Sequence, residues 1–257
     1  MKPEIKIENY HCPIHGKVEV KSFLILDEWK GGTCSQCAEE KIRNREKEIA
    51  EIEEKKLLEQ KKRGLENRLR FSAIPVRFQN KSFADFTAET EEKRSRKETC
   101  EKYAAEFPKN LAKGTSMIFC GSTGTGKTHL ACSIANKIIH EHSATALFIS
   151  VVDAVRTVKE SYSKTSQTTE REAIASFTVP DLLILDEVGV QYGTDSERLI
   201  LTEIINKRYE ATKPSILISN LEIDALIHFL GDRIIDRLRE NSGKYFSFQW
   251  ESFRKSK

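Results

Sequence analysis

Residues 119–128 read Phe-Cys-Gly-Ser-Thr-Gly-Thr-Gly-Lys-Thr, and no other stretch narrows the possible folds of this 257-residue chain so far. From Gly121 to Thr128 it fits G-x-x-x-x-G-K-[ST]. Gly121, Ser122, Thr123, Gly124, Thr125 and Gly126 form a loop whose backbone N–H groups can wrap phosphates. Lys127 can reach the β/γ oxygens, and the Thr128 hydroxyl can ligate Mg²⁺. The alternative is a glycine-rich turn that binds nothing, and the neighbours speak against it. Residues 116–120 read as a short apolar strand, and residues 129–136 continue as a helix whose N-terminus favours an anion.

A nucleotide site needs acids on a second strand. Asp181-Leu182-Leu183-Ile184-Leu185-Asp186-Glu187 is an apolar run ending in two carboxylates, the pattern of a buried parallel strand that delivers them to its C-terminal edge. In P-loop enzymes the first acid holds Mg²⁺ through water and the second polarises the attacking water, roles that fall to Asp186 and Glu187. Residues 215–220 read as another strand, ending at Asn220. That side chain could orient the water or contact the γ-phosphate, or merely cap the helix that Leu221-Glu222-Ile223-Asp224 begins. Arg233 and Arg237 lie four apart on one helical face. Such arginines can be supplied in trans to a neighbour's nucleotide; the plainer alternative is a surface ion pair involving Asp236.

Six cysteines in a chain without the apolar core of a signal peptide point to a cytoplasmic protein and to metal rather than disulfides. Cys12-Pro13-Ile14-His15 and Cys34-Ser35-Gln36-Cys37 are two knuckles that can aim four ligands at one Zn²⁺. His11 could substitute for His15, though an exposed histidine is the simpler reading. Residues 18–24 alternate like a strand and Gly31-Gly32 marks a turn, which suits a small zinc ribbon. With 39% hydrophobic and 32% charged residues and no long apolar run, membranes are not expected, and a net charge of +3 is too small to argue nucleic acid by itself.

Residues 38–70 are rich in Glu, Lys and Arg, with Ile42, Ile49, Ile52, Leu58, Leu65 and Leu69 at largely helical spacings. This predicts a long, mostly solvated helix, either a docking surface for a partner or a soluble spacer, closed by Ile74-Pro75. Residues 77–86 carry regular aromatics that either approach an adenine or fill a core. One polar helix is expected over 91–113. A strand over 144–150 leads to a helix over about 152–162, on which Arg156, Lys159 and Tyr162 share roughly one face. Two cations and a ring suit single-stranded nucleic acid, although basic surface helices are common. Residues 163–169 should be a loop.

The order of these motifs resembles the DnaC-like bacterial and phage helicase loaders, AAA+ ATPases related to the IstB transposition ATPases. The likeness runs from about Phe71 to the C-terminus. Its most specific pieces are residues 78–83, 181–191 (DLLILDEVGVQ), 231–239 and 248–254. The resemblance implies an α/β fold: an AAA+ P-loop domain over 71–257, three-layered on a parallel sheet. Before it come a zinc module over 1–38 and a charged helix over 39–70, read as a helicase-docking arm. It further implies a loader that binds a hexameric replicative helicase, associates with itself through its ATPase domains and uses ATP to place the ring on single-stranded DNA. By position, Lys127 and Thr128 bind ATP and Mg²⁺, Asp186 and Glu187 are the acidic pair, Asn220 is the sensor and Arg237 the trans-acting finger. Tyr162 falls where the family has an aromatic near single-stranded DNA. No N-K-x-D guanine signature is present, Thr212-Lys213-Pro214-Ser215 being a poor match, so ATP is expected. The zinc knuckles are a departure, since docking regions in this family need not carry one. A transposition accessory ATPase, or a zinc adaptor with a nucleotide latch, would share the core motifs.

Overall fold

The computed structural model describes residues 4–25, 28–189 and 195–254. The chain forms two compact units, Met1–Arg63 and Gly64–Lys257.

In the first unit, β1 (Ile5–Cys12), β2 (Gly16–Ile25) and β3 (Glu28–Lys30) make an antiparallel sheet in that order. The pairing Cys12↔Gly16 closes the first hairpin on the knuckle. β2 matches the alternation read at 18–24; β1 was not anticipated. Its apolar side chains stay largely in water: Ile5, Ile7, Ile25 and Trp29 are all exposed, while Cys12, Val20, Ser22 and Cys34 are buried. Among the described residues of this unit little apolar surface is buried, so a side-chain core contributes little to its stability. The helix α1 (Ser35–Phe71) follows, with Cys37 in its first turn. Over 35–63 it is solvated as expected, with Ile42, Ile49, Ile52 and Leu58 exposed.

In the second unit, the end of α1 places Leu65 and Leu69 against a large core. Then come α2 (Val76–Gln79), α3 (Glu91–Ala105), α4 (Phe107–Lys113), β4 (Met117–Gly121), α5 (Lys127–Glu141), β5 (Ala146–Ser150), α6 (Val151–Glu160) and α7 (Glu170–Ser176). They are followed by β6 (Leu182–Asp186), α8 (Asp195–Glu210), β7 (Ser215–Ile218), α9 (Ile223–Leu230), α10 (Asp232–Arg239) and β8 (Lys244–Phe248). The single helix expected over 91–113 is two. Pro108 sits in the first turn of α4, where its missing N–H costs nothing, but inside a continuous helix it would break the ladder.

The five strands of this unit pair in parallel in the order β5-β6-β7-β4-β8. Side chains alternate between the faces, so Met117 and Phe119 enter one core and Ile118 the other; Leu182 and Ile184 oppose Leu183 and Leu185 in the same way. Each face is covered by helices, which explains why these strands are continuously apolar. The result is the expected three-layer α/β architecture. Every parallel strand ends at the same edge, and that edge holds the P-loop.

Arg208 of α8 is fully buried yet satisfied. Its guanidinium donates to the carbonyls of Phe177, Pro180, Asp181 and Pro214 and to Ser215 Oγ, pinning the loops that lead into β6 and β7.

Candidate nucleotide site

The loop between β4 and α5 is held from inside by its own lysine. Lys127 Nζ donates to the carbonyls of Gly121 (2.7 Å) and Ser122 (2.6 Å), and Thr125 Oγ1 donates to Ser122 O (2.8 Å). Burial pushes the Lys127 ammonium down to about 8, and the negative charge of Asp186 opposes that fall. Gly126 has φ +93°, and a Cβ there would lie 2.5 Å from the Phe86 ring, so only glycine fits.

Thr128 donates its hydroxyl to Asp186 Oδ2 at 3.0 Å. Because that proton is committed to the carboxylate, the hydroxyl lone pairs remain for a cation. Burial pushes the Asp186 carboxyl up, against the opposing hydrogen bonds from the Glu187 N–H and the Thr128 hydroxyl. Glu187 takes φ 63°, a left-handed conformation that costs a non-glycine residue roughly 1–2 kcal/mol. Its N–H bonds Asp186 Oδ1 (2.8 Å), and its side chain is exposed. Lys127, Thr128, Asp186, Glu187 and Asn220 all line one cleft of about 1330 Å³. Gly121, Ser122 and Thr125 shape the loop from behind, whereas Thr123, Gly124 and Gly126 line the cleft directly. The end of the 181–191 stretch, Val190 and Gln191, lies outside the described residues.

The aromatic lead-in fills the core, as one of its two readings expected, and also borders the cleft. Phe83 and Phe86 are buried in the core, while Phe78 and Phe86 also line the cleft. The segment is tied to α5 by Asn136, which donates to the carbonyls of Phe78 (2.9 Å) and Lys81 (2.7 Å).

The other candidate residues lie elsewhere. Arg233 is exposed, and Arg237 donates to Asn206 Oδ1 and stacks over the Tyr209 ring at 4.9 Å. Neither lines the P-loop cleft, and among the described residues neither forms an ion pair with Asp236. On α6, Ala154, Val155 and Val158 are buried while Arg156 and Lys159 face out. Arg156 pairs with Asp153 (2.7 Å), Lys159 with Glu197 (3.2 Å), and the exposed Tyr162 hydroxyl donates to Glu170 (2.6 Å).

Sequence reasoning gave no role to residues 250–254, yet Ser252, Phe253 and Arg254 line the cleft. Only their place in the family-like terminal stretch signalled them.

In the first unit, Cys12, His15, Cys34 and Cys37 bring four ligand atoms within 4.8 Å of one another. His15 Nδ1 lies 3.8, 3.7 and 3.2 Å from the sulfurs of Cys12, Cys34 and Cys37, and the Cys12 and Cys37 sulfurs are 3.5 Å apart. A tetrahedral zinc with bonds of about 2.1–2.3 Å has edges of about 3.5–3.8 Å, so this S₃N set could hold Zn²⁺. The backbone N–H groups of His15 and Ile14 push the Cys12 thiol down to about 6, and its proximity pushes the Cys37 thiol up to about 12. The outer His15 nitrogen, Nε2, faces Glu40 at 3.5 Å. His11 is exposed on β1 opposite Lys17 and takes no part.

A five-stranded parallel sheet of this order, with a P-loop after β4 and paired acids at the end of β6, defines a nucleotide-binding domain of the AAA+ class. The family model for IstB-like ATP binding proteins matches residues 30–257, and the chain belongs to that family, within its DnaC-like branch. The replicative helicase loader DnaC of Buchnera aphidicola subsp. Schizaphis graminum is 33% identical over 198 residues, 77% of this chain and 79% of that protein. DnaC of Escherichia coli (strain K12) is 31% identical over 199 residues, with the same two shares, 77% and 79%. A crystal structure of the DnaC helicase loader matches in fold with a TM-score of 0.60 at 20% identity, covering 69% of this chain and 100% of that one. Among the described residues no helix is long and apolar enough to cross a membrane.

Proposed function

We propose that this protein is an ATP-dependent helicase loader, which binds a hexameric replicative helicase and delivers it to single-stranded DNA. The observation that carries the reading is the convergence of Lys127, Thr128, Asp186, Glu187 and Asn220 on one cleft in a chain akin to DnaC. Lys127 and the loop N–H groups hold the triphosphate. Thr128 would offer a hard oxygen ligand to Mg²⁺ and Asp186 would hold the ion through water, and the ion would supply positive charge to the phosphates. Glu187 accepts a hydrogen bond from the attacking water, and Asn220 fixes that water's orientation. Arg237, assisted by Arg233, serves the site of a neighbouring subunit. Hydrolysis is therefore slow until subunits assemble, because a trans arginine contributes about 10³–10⁵ in rate.

Arg156, Lys159 and Tyr162 form the single-strand contact. Of their present partners Asp153 and Glu170 are exposed and Glu197 is half-buried, and surface pairs of this kind are worth about 1 kcal/mol or less, so phosphates can displace them. Replacing Tyr162 by Ala should cost about 1–3 kcal/mol of DNA binding, whereas Tyr162→Phe keeps the stacking face. Zn²⁺ held by Cys12, His15, Cys34 and Cys37 stands in for a core in the first unit, and that unit with the exposed face of α1 is the helicase-docking arm.

The test mixes the full chain with candidate helicases, with and without ATP, and weighs the complexes by native mass spectrometry. Glu187→Gln should trap an ATP-bound complex and Lys127→Ala should fail to bind nucleotide. A protein that binds transposase and duplex DNA instead, or one whose Glu187→Gln form hydrolyses ATP like the parent, would sink this reading.

A further inference from the structure

Several surface arginines of the second unit take a carboxylate three residues away. Arg94 pairs with Glu91 (3.0 Å), Arg156 with Asp153 (2.7 Å) and Arg198 with Asp195 (2.7 Å). Arg237 stands at the same distance in sequence from Glu240, yet among the described residues it pairs with no carboxylate.

The reason lies on α8, where Asn206 and Tyr209 are three apart and share a face. The Tyr209 hydroxyl donates to Glu240 Oε2 (2.5 Å), which holds that carboxylate aside, while its ring lies under the Arg237 guanidinium at 4.9 Å. Arg237 Nη1 donates to Asn206 Oδ1, a neutral acceptor. The arginine is thus fixed by two uncharged groups. A guanidinium has five N–H donors, and among the described residues Asn206 is the only acceptor for them. Burial of Ile234, Ile235 and Leu238 anchors α10 itself, so what α8 adds is the direction of the Arg237 side chain. Arg237, Tyr209 and Glu240 border a cavity of about 290 Å³ separate from the P-loop cleft, which leaves room beside the arginine.

An ion pair inside the subunit would weaken the charge that Arg237 can bring to a transition state, and a freely rotating side chain would seldom point the right way. Stacking on a ring limits the second loss without incurring the first. We propose that Asn206 and Tyr209 are positioning residues for hydrolysis, holding Arg237 aimed and unneutralised for a neighbouring subunit's nucleotide while the Tyr209 hydroxyl keeps Glu240 off it. This rests on the reading of Arg237 as an arginine acting in trans, and adds to it the groups that present it.

The test measures ATP turnover of the full chain against protein concentration, so that assembled subunits are compared with dilute ones. The parent is set beside Arg237→Ala, Asn206→Asp, Tyr209→Phe, and Tyr209→Phe combined with Glu240→Gln. Asn206→Asp gives Arg237 a carboxylate and should lower the assembled kcat about 10–100-fold, the worth of a hydrogen bond to a charged group. Tyr209→Phe keeps the ring but frees Glu240 for the arginine, and should also lower kcat. Adding Glu240→Gln removes the competing charge and should restore most of it. A merely structural role would not give that rescue, since the double variant has lost the bond between the two side chains altogether. Kd for ATP should stay near the parent's value throughout, because Asn206, Tyr209 and Glu240 do not line the nucleotide cleft. Parent-like turnover in Asn206→Asp or Tyr209→Phe, when Arg237→Ala is slow, would overturn the proposal. So would a slow Tyr209→Phe that Glu240→Gln leaves slow. If Arg237→Ala turns over like the parent, or the parent's turnover per subunit ignores concentration, the trans reading itself falls and this inference with it.

Discussion

The Thr128 hydroxyl donates to Asp186 Oδ2 at 3.0 Å, joining the first turn of α5 to the end of β6. Asp186→Asn keeps an acceptor for that proton but removes the charge that attracts a cation. Mg²⁺ affinity should fall about 10–100-fold, as when a partner behind a metal's ligands is lost, with Mg²⁺-free nucleotide binding retained. Titrating Mg²⁺ at fixed nucleotide checks this; equal affinity in variant and parent would count against the assignment.

Lys127 gives the site a pH limit. Its ammonium titrates at about 8 in the folded chain against 10.5 when unperturbed. An anion prefers the protonated form, so ATP affinity should weaken as pH rises past about 8, by at most tenfold per unit. The stability of the free protein moves the other way. Between those two values the unfolded chain binds the extra proton, so this group's contribution to stability rises with pH. Calorimetric titrations from neutral pH to about 9.5 would register the first effect, and melting of the nucleotide-free protein the second.

In the cysteine cluster, Glu40 faces His15 Nε2, leaving Nδ1 toward the three sulfurs. Atomic absorption should find about one zinc per chain, lost with Cys34→Ser. Glu40→Ala should weaken zinc about 10–100-fold in a chelator competition while leaving ATP binding intact. A chain that carries no zinc after purification in metal-replete medium would refute it.

Arg237 is tied to Asn206 and Tyr209 and stands off its own cleft, so its effect should appear only between subunits. Arg237→Ala should bind ATP normally yet lose assembly-stimulated hydrolysis. Mixing it with Lys127→Ala should recover part of the activity, because some junctions then join an intact loop to an intact arginine. Two inactive proteins that stay inactive when mixed, despite co-assembling, would argue for action in cis.

How much of this could be read from the chain alone depended on how far apart the interacting parts lie. The P-loop, Asp186 and Glu187 were legible because a buried parallel strand writes its edge into a contiguous apolar run ending in polar residues. The clustering of Cys12, His15, Cys34 and Cys37 was legible because each pair of these residues is local in the chain. Arg208 was not, since its acceptors come from segments around Phe177, Asp181 and Pro214 that meet only in the folded unit. The helix break at Glu106 was signalled by Pro108 but outweighed by the polar pattern on both sides. The approach of residues 250–254 to the P-loop was hidden because their hydrogen bonds go to the backbone carbonyls of Gly124 and Thr125, groups that every residue possesses.

The place of β8 beside β4 has a consequence for synthesis on the ribosome. The strand that carries the P-loop gains its second neighbour only after residues 244–248 have emerged. A shorter nascent chain would present Met117–Gly121 as a bare apolar rim, the kind of surface that invites pairing with a foreign strand. Guarding that interval would fall to whatever holds the growing polypeptide, and ribosome-stalled chains ending before Lys244 should be stickier than those that extend beyond Phe248.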